Sequence, residues 1–137
     1  MLRAGALTAV TAGLLAAVPF VTGAAQGGTG CWSTAPVELA NEGVWKYSDQ
    51  VSWCAQDSKI TSVEVTVTHQ VLNRACRWVG LVAAYSEPAK DGTGRTVYSR
   101  GEFACQGTVG ADGVNPWVTL TVEPDGTYTV DRSGIRW

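Results

Sequence analysis

Thr61-Ser62-Val63-Glu64-Val65-Thr66-Val67-Thr68-His69-Gln70-Val71 decides the fold class. Val63, Val65, Val67 and Val71 share one parity, and Glu64, Thr66, Thr68 and Gln70 share the other. Period-two alternation in β-favouring residues predicts a half-buried strand with one wet face. A helix would scatter these valines around its circumference and crowd their branched side chains against the preceding turn. The next run, Arg74 to Tyr85, is apolar on both parities: Trp78, Gly80, Val82 and Ala84 on one, Val79, Leu81, Ala83 and Tyr85 on the other. It is expected to be a central strand covered on both faces. The expected core contains Val63, Val65, Val67, Leu81 and Leu120.

Working outward, Val37 to Ala40 is expected as a short edge strand opened by Pro36. Val44 to Ser48 follows, Asp49-Gln50 is expected to bend, and Val51 to Ala55 resumes. Asp57-Ser58-Lys59 turns into the valine strand. Ser86 to Gly94 has no apolar periodicity and reads as the longest loop. Arg95 to Val109 returns to β character with Gly101 as a bulge. Gly110 to Pro116 is a turn region, and Trp117 to Val122 pairs with Thr127 to Val130 across Glu123-Pro124-Asp125-Gly126. Asp131 to Trp137 is expected to trail from that hairpin. No sustained helical period interrupts this pattern, so the predicted fold is all-β, an antiparallel sandwich or flattened barrel of about six to eight strands.

The first 25 residues have the pattern of a secretory signal: Arg3, the apolar run Ala4 to Val18, then small residues before Gln26. The expected organisation is therefore a signal peptide at 1–25, a flexible Gly-rich arm at 26–36 and one domain at 37–137. Cleavage would remove Arg3 and leave nine basic against twelve acidic side chains, a net charge of −3. With no Lys/Arg run, neither nucleic acid nor, after signal cleavage, a membrane is an expected partner.

Cys31, Cys54, Cys76 and Cys105 all lie beyond the signal. An even count in an exported chain predicts two disulfides, with three connectivities open. Cys31 with Cys54 and Cys76 with Cys105 is the preferred set, because each pair brackets one two-strand unit. His69 is the only histidine, so a zinc site would lack its usual ligands and a Ser or Cys nucleophile has one base to choose from. Its parity in the valine strand favours a packing role. Asp49, Asp57, Asp91, Asp112 and Asp125 sit in turn-like settings and are assigned to turns. No catalytic set, metal site or cofactor is expected.

Six tryptophans are more indoles than a domain of this size hides with their N–H groups satisfied. Trp53 and Trp78 are assigned to the core around the disulfides. Trp45-Lys46-Tyr47, a cation between two large rings, is the predicted binding segment if it forms an exposed turn.

Trp45-Lys46-Tyr47-Ser48 followed by Cys54-Ala55 resembles the Trp-Arg-Tyr turn and next cysteine of the small secreted α-amylase inhibitors of streptomycetes, the tendamistat family, with Lys46 in the place of the arginine. Ser62 to His69 and then Cys76-Arg77 are similar to that family's next strand and third cysteine. The resemblance covers about residues 31–105. It implies a β-sandwich, the same first-to-second and third-to-fourth disulfide pairing, and inhibition of an α-amylase. The expected function is a secreted, non-enzymatic protein-binding module, such as an inhibitor of an extracellular glycoside hydrolase. The alternatives are an adaptor in a secreted toxin complex, whose larger subunit would be the partner, or a carbohydrate-binding module.

Overall fold

The structure, a computed structural model, describes residues 28–90, 92–107 and 113–137. The expected signal peptide lies outside these residues. Eight strands form two antiparallel four-stranded sheets. They are β1 (Gly30–Ser33), β2 (Val37–Asn41), β3 (Trp45–Gln56), β4 (Lys59–Val71), β5 (Cys76–Pro88), β6 (Arg95–Cys105), β7 (Asn115–Val122) and β8 (Tyr128–Arg136). Among the described residues the chain is all-β, as the alternation predicts.

In the first sheet β3 is central, with β4 along one side and β1 and β2 end to end along the other. Thr34 bridges the break between β1 and β2. Its backbone N–H donates to the Val51 carbonyl, and its Oγ1 accepts from Val51 N–H at 3.1 Å. In the second sheet the order is β5-β6-β7-β8. The two disulfides join residues directly opposite each other, Cys31–Cys54 across β1 and β3, and Cys76–Cys105 across β5 and β6. This is the expected pairing.

The core is aromatic. Trp45, Tyr47, Val51 and Trp53 point from β3 onto Val97 and Phe103 of β6 and Val118, Leu120 and Val122 of β7, all essentially unexposed. Trp45 stacks on Phe103 with centroids 4.7 Å apart. Trp53 packs beside Trp32, and its Nε1 donates to the Glu123 carbonyl at 2.8 Å, which satisfies the indole N–H at no cost in exposure. Leu120 is buried and Val63, Val65 and Val67 are half-buried, in line with their expected face.

Several expectations are corrected. The run from Arg74 to Tyr85 is an edge strand, not a central one, and Leu81 is 43% exposed rather than in the core. Apolar residues on both parities reflect two bulges, at Val79 and Val82, which break the alternation. Gly101 lies on the unbulged partner strand. It is glycine because a Cβ there would sit 2.6 Å from the Trp78 ring and 2.7 Å from Tyr47. The arm expected over 26–36 is a strand from Gly30 to Ser33, held by the buried Trp32 and the Cys31 disulfide. Four residues are too few to show a period. Asp49-Gln50 does not bend, and β3 runs through it. Beyond Val130 the chain continues as β8 to Arg136 rather than trailing. The expected loop starts later than Ser86, since β5 runs to Pro88 and Ala89 N–H then donates to the Gly94 carbonyl at 3.0 Å; Asp91 lies outside the described residues. Asp57 and Ser58, both at positive φ, make the tight turn that the sequence indicates.

Candidate functional site

Trp45, Lys46 and Tyr47 are not an exposed turn. They are consecutive residues of β3, so strand alternation sends the two rings inward and Lys46 alone to solvent. Trp45 and Tyr47 have no exposed surface, and a partner cannot reach them without opening the sandwich. Lys46 lies on the outer face of the first sheet, beside Glu38, Ser48, Thr68 and Gln70 around a shallow depression.

Tyr47 instead anchors a polar network between the sheets. Its hydroxyl donates to Ser99 Oγ at 2.8 Å, and Ser99 Oγ in turn donates to Asp49 Oδ2. Asp49 is buried, and its Oδ1 has no hydrogen-bond partner among the described residues. Burial holds the Asp49 carboxyl above its ordinary value of 3.8, against the opposing pull of Ser99, and burial pushes the Tyr47 hydroxyl up to about 12. A raised carboxyl pKa means that the folded state binds its proton more tightly than the unfolded chain. Stability from this group is therefore full below pH 3.8 and falls as pH rises through the folded pKa. Asp49→Asn should flatten the decline in urea midpoint that sets in as pH rises above 3.8. An unchanged slope would assign the decline to other groups.

His69 stacks on Trp78 of the opposite sheet, centroids 4.4 Å apart and planes 10° from parallel, and caps the aromatic core at the β4–β5 corner. Trp78 also meets Phe103 edge-on at 4.9 Å, so it belongs to the core with Trp53, as expected. Among the described residues no group of three or more His, Cys, Asp or Glu is placed to hold a metal.

The concentration of recognition chemistry lies on the outer face of the second sheet. Strand register builds it in rows. Ala83 pairs with Arg100, Arg100 with Trp117, and Trp117 with Gly134. Gly134 matters because a Cβ there would come within 3.1 Å of the Trp117 ring; its absence lets the indole lie across β8. In the adjacent row Tyr85 pairs with Tyr98, ring centroids 5.1 Å apart, Tyr98 with Thr119, and Thr119 with Arg132. On the other side, Arg100, Glu102, Asn115, Arg136 and Trp137 line a groove of about 420 Å³ with Val82 at its rim. Arg100 Nε is buried without a hydrogen-bond partner among the described residues. Tyr85 is 53% exposed and Trp137 72%.

These rows set three arginines against one carboxylate, Glu102, in a chain that is acidic as a whole. Glu87 and Asp131 lie one row further along, where Thr121 Oγ1 donates to Asp131 at 2.7 Å. Sequence alone does not mark this face. Arg100, Arg132 and Arg136 are scattered over two strands, and only the register of β6, β7 and β8 gathers them around Trp117. The one legible signal is the outward parity of Trp117, Thr119 and Thr121 opposite Val118, Leu120 and Val122.

Comparison with protein-family profiles, with curated proteins and with solved structures finds no match to this chain.

Proposed function

We propose that the chain is a secreted, non-enzymatic protein-binding module that docks through the outer face of the β5–β8 sheet onto a carboxylate-bearing surface of another secreted protein. The observation that carries this reading is the Arg100–Trp117–Gly134 row beside the Tyr85–Tyr98 pair. Tryptophan, tyrosine and arginine are the residue types that dominate binding energy at interfaces, and here they stand on a rigid sheet, so little side-chain or loop entropy is lost on docking. The arginine fork suits carboxylates, and the register gathers Arg100, Arg132 and Arg136 around Trp117, where carboxylates of an acidic partner would meet them.

An amylase-inhibitor mechanism based on Trp45 and Tyr47 finds no support in their burial. A hydrolase as partner remains within the proposal, with contact on the other sheet, and such a contact would make the chain an inhibitor. A larger subunit of a toxin complex as partner would make it an adaptor.

The test is capture of the partner from culture supernatant on the immobilised chain, followed by titration of the purified partner with variants. Tyr85→Ala and Arg136→Glu are expected to weaken binding by about thirtyfold each, corresponding to about 2 kcal/mol for an interface anchor. Lys46→Ala should bind like the parent, and rising salt should weaken the parent more than Arg136→Glu. Unchanged binding by both sheet variants, or retention of the chain by insoluble polysaccharide alone, would refute the proposal.

A further inference from the structure

The β4 edge combines two features that point to a missing neighbour. First, among the described residues β4 is bonded to β3 alone, and from Ser62 to Val71 its register against β3 is unbroken. Exposed edges are ordinarily guarded by bulges, prolines, lysines or inward-pointing charges. Ser62 to Val71 has no bulge, no proline, no lysine, and one carboxylate, Glu64. Second, the sandwich is open along this side. Val63, Val65 and Val67 face inward yet are only half-buried, and Val71, Leu72 and Leu81 at the neighbouring corner and on β5 are 38 to 45% exposed. The edge of the other sheet on this side, β5, is broken by bulges at Val79 and Val82 and is the poorer template for pairing. An added strand beside β4 would satisfy its free backbone groups and extend the roof over the open seam.

We infer that this strand is β4 of a second copy of the chain, paired antiparallel about a two-fold axis at Thr66. The occupant is argued from register and charge. Residues opposite each other in an antiparallel pair point to the same face, so the valines stay inward only if odd residues meet odd residues. An axis at Thr66 sets Val65 against Val67 of the second copy and Val67 against its Val65, with Val63 against His69 at each end. On the outer face Thr66 meets Thr66, and Glu64 meets Thr68. Valine and threonine pairs are favourable cross-strand neighbours, and the one charge in the stretch never faces itself. An axis at Glu64 would oppose the two carboxylates. Two-fold pairing is isologous and consumes both β4 edges, so association closes at the dimer. The surface is separate from the outer face of the β5–β8 sheet, so each proposal stands or falls alone.

The experiment is sedimentation equilibrium of the secreted chain over a range of micromolar concentrations. The parent is expected to reach twice the chain mass. Thr66→Lys and Thr66→Glu change a solvent-facing residue and should fold like the parent by circular dichroism, yet each should raise the dimer dissociation constant at least tenfold by opposing like charges. An equimolar mixture of the two variants should restore the doubled mass, because opposite charges then meet at the axis. A parent that stays monomeric and gains mass only with a different protein, a parent that polymerises beyond two copies, or a mixture that stays monomeric would each overturn the inference.

Discussion

Trp45→Ala is expected to lower the thermal midpoint by more than about 10 °C, from a truncation cost of roughly 3–5 kcal/mol in a small domain. Trp45 is fully enclosed and stacked on Phe103, so it is one of the side chains that join the two sheets. Removing the indole leaves a cavity that two hydrogen-bonded sheets cannot close by sliding. Against a total stability of about 5–15 kcal/mol, that loss depletes the folded population. Trp45→Phe separates packing from polarity. The indole Nε1 is buried without a hydrogen-bond partner among the described residues, so phenylalanine keeps much of the ring while removing an N–H that is costly to bury. A midpoint close to the parent for Trp45→Phe, beside a collapse for Trp45→Ala, is the expected pattern. Equal small effects would mean that the ring lies at the surface.

The second large effect is expected from the disulfides. The paired change Cys76→Ser with Cys105→Ser should cost about 3–4 kcal/mol in the chain-entropy model, since the bridge spans a sequence separation of 29. Cys31–Cys54, with a separation of 23, should cost nearly as much when removed. Beyond that common cost, their sites differ. Cys76 is buried and follows the corner where His69 meets Trp78, whereas Cys31 is exposed on the short strand β1. Loss of Cys76–Cys105 should therefore loosen the aromatic corner, while loss of Cys31–Cys54 should free β1 and expose Trp32 first. Urea midpoints with tryptophan emission as a second probe distinguish the two. Identical emission changes for both variants would contradict the assignment of Trp32 to β1.

Where one strand face is wet and the other packed, the sequence shows it. Val63, Val65 and Val67 and, on the C-terminal hairpin, Val118, Leu120 and Val122 reveal their faces by alternation. Tight turns are equally legible at Asp57-Ser58 and Glu123 to Gly126, because the backbone there needs particular residues. Apolar density misleads at β5, where bulges at Val79 and Val82 put hydrophobic side chains on both parities without covering either. Aromatic character misleads at Trp45-Lys46-Tyr47. Local sequence states that the segment alternates but does not say which face of β3 meets the other sheet. Asp49 is missed for a related reason: aspartate is turn-forming by propensity, and only the approach of Ser99 from a strand 50 residues away lets it sit in the core. The outer-face cluster depends wholly on register between strands distant in sequence, which no local pattern records.

Hydroxyl-radical footprinting of the chain, free and bound to its captured partner, is the most direct measurement. In the free chain Tyr85 and Trp137 should label strongly, while Trp45, Tyr47 and Trp53 stay unlabelled until the fold is melted. On binding, protection should appear at Tyr85, Tyr98 and Trp137. Strong labelling of Trp45 and Tyr47 in the free chain, with protection of those two residues on binding, would contradict both the placement of these rings and the docking face.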